Sequence, residues 1–287
     1  MVTPFDDDLR LDLDAAAALA RWLVDVQAND GLVVCGTTGE SPTLSDTEKL
    51  DLVRAVSEAV TVPVVAGTTS NDTAHSVALT RRAAGAGAAG VLVVTPYYNR
   101  PSQAGIEAHV RSVAAATELP VMLYDIPFRT GRKIAFDVLV RLAREVPNVV
   151  AVKDSAGDVG MTARLVAEAP AGYEVYCGED ALNLAMLAVG AVGLVGVAAQ
   201  WAGATLVKLV TAFERGDVEA ARRANARLLD SYAFESSDDA PNPVPAKAIL
   251  RALGQPVGST RPPMGPEPDD LGARAEAVLA GLGAPIP

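Results

Sequence analysis

Short apolar runs alternate with longer stretches of helical period along most of the chain. The runs are Leu32–Gly36, Pro63–Gly67, Val91–Thr95, Val121–Asp125, Val149–Lys153, Tyr173–Gly178 and Gly193–Val197. They are too short for helices and too uniformly apolar for one-sided strands, so they predict strands buried on both faces, as in a parallel sheet. Between them apolar residues recur at helical spacing: Ala16, Leu19, Leu23 and Val26 before the first run, Leu50, Val53, Val56 and Val60 after it. Ser45 and Glu48 have capping-box spacing at the start of that second helix. Met1–Thr3 reads as the last piece of an eighth strand, with the chain starting inside it. Eight β-α units in about 215 residues predict an α/β fold, a (β/α)8 TIM barrel, with a doubly wound sheet as the alternative. From Asp217 onward the period is helical only, over Val218–Phe234, Val244–Leu253 and Asp269–Gly281, with proline-rich joints at Pro241–Pro245 and Arg261–Pro268. The expected organisation is therefore a barrel over 1–216 that carries the active site, followed by a helical extension over 217–287.

Two stretches invite other readings. No charge falls between Ala181 and Val207, a length that exceeds the roughly 20 residues of a membrane span. Its glycines at 190, 193, 196 and 203 punctuate it as helix, turn, strand, turn and helix instead. Gly85-Ala-Gly87-Ala-Ala-Gly90 matches the dinucleotide fingerprint in letters. That fingerprint must follow a strand and open a helix, whereas here it ends a helix and precedes a strand, so NAD or FAD binding is rejected.

Composition narrows the function. The chain has 287 residues, 50% hydrophobic and 5% aromatic, enough for a large core. A net charge of -11 disfavours nucleic acid and anionic membranes, which need clustered Lys and Arg. Cys35 and Cys177 lie in separate apolar segments and read as buried thiols in a reducing, cytoplasmic setting. His75 and His109 lack metal-ligand spacing, so no metal is expected. The N-terminus shows neither the basic nor the apolar region of an export signal.

Chemistry in a barrel collects where strands end. Lys153 closes the run Val149-Val-Ala-Val152 and is followed by Asp154-Ser-Ala-Gly157. A lysine delivered there is either snorkelling into water or desolvated into a nucleophilic amine able to form a Schiff base with a carbonyl. Neighbouring strand ends favour the amine. Tyr124 stands one residue before the end of the preceding run and is expected beside Lys153, and Arg129 follows shortly after. Gly36-Thr37-Thr38-Gly39-Glu40-Ser41 is a glycine-flanked hydroxyl turn whose backbone N–H groups suit a carboxylate or phosphate. Tyr97 and Tyr98 sit in a proline-bracketed loop and read as interface anchors. The acidic pair Glu179-Asp180 argues against a phosphosugar. An amine, a phenol, a carboxylate-binding turn and an arginine suit a 2-oxo acid. Its ketone would condense with Lys153 and its carboxylate would dock on Thr37 and Thr38. Arg129 would hold a second carboxylate bidentately.

These residues, together with Ala66-Gly-Thr68 and Tyr97–Gln103, resemble over the whole chain the pyruvate-dependent class I aldolases of the dihydrodipicolinate synthase and N-acetylneuraminate lyase family. Within it the synthase branch is the nearer, because Arg129 after the Tyr-x-x-Pro element is typically missing from the lyases. The resemblance implies Lys153 as Schiff-base residue, a proton relay of Thr37, Tyr98 and Tyr124 with Tyr98 from an adjacent subunit, and Gly178 and Val195 along the pyruvate pocket. It implies condensation of pyruvate with L-aspartate 4-semialdehyde to 4-hydroxy-tetrahydrodipicolinate, with no cofactor beyond the covalent imine and a homotetramer built as a dimer of dimers.

Three features depart from the pattern. Relatives usually have more residues before the first strand. Phe128 precedes Arg129, where synthases more often have a small residue, and could narrow the aldehyde site. Asp46, Lys49 and His75 match the pocket where lysine-inhibited relatives use histidine and glutamate, and Lys49 would repel a ligand ammonium, so weak or absent lysine inhibition is expected. The competing functions are a pyruvate-releasing retro-aldolase for a sugar acid and a barrel that binds 2-oxo acids without turnover.

Overall fold

A computed structural model describes residues 1–283, so the last four residues of the expected extension lie outside the described residues. The chain divides into two compact units, one formed by Met1–Val64 with the chain from Val197 onward, the other by Val65–Gly196.

The first unit opens with α1 (Leu13–Asp25), β1 (Leu32–Val34) and α2 (Asp46–Ala59). Asp12 caps α1 by accepting the Ala15 N–H. Ser45 and Glu48 close the expected capping box on α2, satisfying two N–H groups that would otherwise lack partners. β1 is shorter than its apolar run because Cys35 turns to a positive φ of 55°.

The second unit alternates strand and helix throughout: β2 (Val64–Gly67), α3 (Thr73–Ala83), β3 (Gly90–Val94), α4 (Gln103–Ala114), β4 (Val121–Asp125), the single turn α5 (Pro127–Thr130), α6 (Phe136–Glu145), β5 (Val149–Asp154), α7 (Val159–Glu168), β6 (Glu174–Cys177), α8 (Asn183–Ala188) and β7 (Gly193–Leu194). Strands β2 to β7 pair in chain order, every pair parallel. The core explains the apolar runs: Val91, Val93, Val121, Leu123, Ala151, Val152 and Val175 are all buried, the neighbours Ala151 and Val152 on opposite faces of the sheet. Side-chain caps fix where the helices start, with Asp72 on α3, Ser102 on α4 and Asp158 on α7. The glycine-rich segment ends α3 and leads into β3 as expected. A Cβ on Gly90 would meet the Pro120 carbonyl at 3.2 Å, so close packing accounts for that glycine.

The chain then returns to the first unit with α9 (Ala199–Glu214), α10 (Val218–Phe234), α11 (Val244–Ala252) and α12 (Leu271–Leu282). All three helices expected after Asp217 are present. α9 packs on α10, and α12 packs on both α10 and α11. Trp201 donates to Ser231 Oγ at 3.2 Å inside this bundle.

Met1–Thr3 does not form the expected strand. Its hydrogen bonds are diverted: the Met1 ammonium donates to the Val33 carbonyl at 2.6 Å, the Val2 N–H to Gln200 Oε1 at 2.7 Å, and Pro4 has no N–H to give. The uncharged stretch divides into α8, β7 and the start of α9, and no helix among the described residues is long and apolar enough to cross a membrane. Cys35 and Cys177 are buried free thiols, and burial pushes both up to about 12.

Candidate active site

The ladder between β4 and β5 sets the centre of the site. Tyr124 and Lys153 are register partners, so with period-two alternation both side chains rise from the same face of the sheet. Lys153 Nζ lies 4.4 Å from the centroid of the Tyr124 ring. Tyr124 is buried and Lys153 half-buried, as expected for an amine at the open end of a covered strand.

Gly178, at the end of β6, makes room for that amine. A Cβ there would stand 2.2 Å from Ser155 Oγ, 2.7 Å from Lys153 Cε and 2.8 Å from Lys153 Cγ. Its N–H donates to the Asp154 carbonyl at 2.8 Å, and the Val195 N–H donates to the Cys177 carbonyl at 2.8 Å. The backbone at Gly178 is thus fixed beside the lysine stem, and Val195 is tied to the residue that precedes Gly178. Burial, and after it the charge of Asp180, raises the Glu179 carboxyl against the opposing pull of Lys153.

Asp125 and Asp154, next in register after Tyr124 and Lys153, point the other way. Asp154 accepts from Thr162 Oγ1 at 2.6 Å. Asp125 Oδ1 accepts the Ile134 N–H at 3.2 Å, tying both ends of the segment that carries Arg129. Its other oxygen is buried without a hydrogen-bond partner among the described residues. Burial raises the Asp125 carboxyl to about 7, opposed by the Ile134 N–H and supported by the charge of Asp154.

Arg129 lies exposed on α5, just before the left-handed Gly131. It forms no ion pair among the described residues, so its guanidinium is open to a ligand carboxylate. Phe128 beside it is 93% exposed, and its ring stands in solvent. Arg100 Nε donates to the Gly131 carbonyl at 3.2 Å and Arg132 Nε to the Arg100 carbonyl at 3.2 Å, stitching the tyrosine loop to the Arg129 segment. Tyr97 is half-buried, and burial raises its phenol. Tyr98 is 89% exposed at a positive φ of 70°, so its ring packs on almost nothing in its own chain. The structure therefore gathers Tyr124, Lys153 and Gly178, ties Val195 to the strand that leads into Gly178, and leaves Tyr98 outside the group.

Thr37 and Thr38 belong to the other unit. There the Thr37 carbonyl accepts the Glu40 N–H at 3.1 Å, and the Gly36 carbonyl accepts the Ser41 N–H at 3.2 Å. A Cβ on Gly39 would meet Cys35 N at 3.1 Å and the Met1 carbonyl at 3.2 Å, which is why the turn needs glycine. Thr38 Oγ1 accepts from Asn242 Nδ2 at 3.0 Å. Sequence reasoning missed Asn242, since Pro241–Pro245 read only as a joint. An asparagine bracketed by prolines, a polar side chain on stiffened backbone, was the signal available.

The dihydrodipicolinate synthetase family model matches residues 1–280. The chain belongs to this family. It is 48% identical to a 4-hydroxy-tetrahydrodipicolinate synthase of Acidothermus cellulolyticus over 99% of this chain and 91% of that protein. It is 46% identical to the synthase of Moorella thermoacetica over 92% of this chain and 90% of that one. A crystal structure of a dihydrodipicolinate synthase from Bacillus anthracis superposes with a TM-score of 0.93 at 39% identity, covering 98% of this chain and 95% of that one. Among the described residues no group of His, Cys, Asp and Glu could hold a metal ion.

Proposed function

We propose that the chain is a Schiff-base lyase that condenses pyruvate with L-aspartate 4-semialdehyde to 4-hydroxy-tetrahydrodipicolinate, toward diaminopimelate and lysine. The observation that carries this is the register pair Tyr124 and Lys153, an amine 4.4 Å from the centre of a buried phenol ring, in a chain of this family.

The Lys153 amine adds to the pyruvate ketone, and Tyr124 protonates the departing oxygen, releasing water and leaving an imine. Loss of a methyl proton gives the enamine, whose carbon attacks the aldehyde and forms the new carbon–carbon bond. The amino group from the semialdehyde then displaces Lys153 and closes the ring. The lysine itself carries the covalent chemistry, so no cofactor or metal is required. Thr37 and Thr38 are assigned to the donor's carboxylate, with Gly178 and Val195 along the donor pocket. Thr37, Tyr98 and Tyr124 are assigned to the proton relay, and the exposure of Tyr98 supports its serving another copy of the chain. A homotetramer, a cytoplasmic setting, a closed eight-stranded barrel over 1–216 with its helical extension, and weak or absent lysine inhibition belong to the same reading.

Borohydride reduction in the presence of pyruvate should add the mass of the reduced adduct at Lys153. An unchanged mass overturns the reading. Arg129→Ala should raise the semialdehyde KM by about tenfold or more, the loss of one charge-assisted contact, while adduct formation with pyruvate stays as it was. An active enzyme that prefers a sialic acid or 2-keto-3-deoxygluconate would replace the acceptor with a sugar acid.

A further inference from the structure

Lys247 has no exposed side-chain surface, and nothing in the chemistry above uses it. It sits in α11 among Val244, Ala246, Ala248, Ile249 and Leu250, all buried. Its Nζ lies 2.9 Å from Glu40 Oε1, donates to the Ser259 carbonyl at 2.7 Å and stands 4.1 Å above the Phe5 ring. Glu40, with its side chain 1% exposed, is the fifth residue of the Gly36–Ser41 turn and holds a left-handed φ of 55°. Its second oxygen accepts the Arg261 N–H at 2.8 Å. Arg261 also lies over Phe5, at 4.2 Å, and donates to the Leu9 and Thr43 carbonyls and to Glu48.

A fully buried ion pair is a poor way to gain stability, because desolvation offsets its attraction and an apolar pair of similar size often does as well. What it does supply is direction. A left-handed non-glycine residue persists only where its surroundings hold it, and such residues cluster at functional sites. Here the surroundings of Glu40 are Lys247 and Arg261, both supplied by the C-terminal part of the chain. The Glu40 N–H in turn bonds the Thr37 carbonyl, so the carboxylate's anchor is passed directly to the backbone that carries both hydroxyls.

We propose that Glu40 and Lys247 are positioning residues for the donor's carboxylate: the buried pair fixes the backbone of the Thr37-Thr38 turn and thereby sets affinity for the keto acid. This rests on the function proposed above, and it makes the C-terminal helices part of the binding apparatus.

The test compares E40Q, K247M and the charge-neutral double variant E40Q/K247M with the parent enzyme. Each single change should raise the pyruvate KM about tenfold or more, with kcat within about threefold and the semialdehyde KM within about twofold, since misplacement of a binding group by a fraction of an ångström has effects of this size. The double variant should be better than the product of the single losses, because neither charge is left alone. A merely structural pair would lower the melting temperature and leave this KM split absent. A folded single variant with a pyruvate KM within twofold of the parent overturns the proposal. Should none of the three fold, hydrogen exchange on the unaltered protein decides. Pyruvate should slow amide exchange in residues 36–41 and 243–250 together, and slowing confined to 36–41 overturns the proposal. Borohydride trapping of the unaltered enzyme separates the two ideas: no adduct at Lys153 defeats the proposed function, whereas a normal adduct with an unmoved KM defeats only the positioning role.

Discussion

The amine region and the hydroxyl turn obtain their geometry in opposite ways. Tyr124 and Lys153 are placed by two adjacent parallel strands, whose ladder fixes both the level and the facing of each side chain. The Thr37-Thr38 turn has no ladder. It is held by Asn242 from 204 positions away and by the Arg261 N–H from 221 positions away. A site group on a strand end inherits rigidity from the sheet core, while one on a turn must be braced by its neighbours. Damage to the first should therefore reach the chemical steps, and damage to the second should show mainly in binding.

Gly178→Ala is the sharpest challenge to the strand-borne half. The added carbon would overlap Ser155 Oγ and the Lys153 stem, so adduct formation with pyruvate should slow by about a hundredfold or more. Normal trapping would mean that the strand end yields more readily than its ladder suggests. Tyr124→Phe removes only the phenolic hydroxyl and should lower kcat by about 10²–10³ with the pyruvate KM little changed, read by steady-state kinetics. Thr38→Val keeps the shape of the turn but leaves Asn242 Nδ2 without its acceptor, and should raise the pyruvate KM by about tenfold with a smaller change in kcat. A kcat effect as large as that of Tyr124→Phe would erase the contrast between the two regions.

The smallest effect concerns stability and pH. The Asp125 carboxyl rises from 3.8 to about 7 on folding, so between those values the native state holds a proton that the unfolded chain has lost. Stability should therefore fall as pH rises from about 4 to 7, with the cost fully present above 7 and absent below 4. Asp125→Asn keeps an acceptor for the Ile134 N–H and cannot ionise. It should flatten this dependence, making the variant more stable than the parent by on the order of 2 kcal/mol at pH 8 and nearly equal at pH 4, measured by urea unfolding.

Local signals were readable wherever the physics is local. The capping box at Ser45 and Glu48, the helix over Val218–Phe234, and the placement of Gly85–Gly90 between a helix and a strand all follow from periodicity and N-terminal chemistry. The level pairing of Tyr124 with Lys153 was legible only to within one residue, because parallel neighbours of equal run length end close together, and the irregularity between Val121 and Met122 sets the final offset. Strand ends were less so. β1 stops at Val34 and β7 at Leu194, although their apolar runs continue, because a left-handed residue or a change in hydrogen-bond partner ends a ladder without altering hydrophobicity. Met1–Thr3 carried the right pattern, yet its N–H groups were claimed by Gln200 and Val33, which no window of sequence reveals. Asn242 and Lys247 were missed for the same reason. A lysine within an otherwise apolar helix signals a buried partner, but its identity, Glu40, is a tertiary fact.

The two buried cysteines divide between the compact units, Cys35 in one and Cys177 in the other. With each thiol pushed up to about 12, neither offers the thiolate that alkylating reagents attack while the protein is folded. Their labelling rates in an iodoacetamide time course consequently report opening of the surrounding structure. Peptide mapping would time each unit separately, with no engineered probe required.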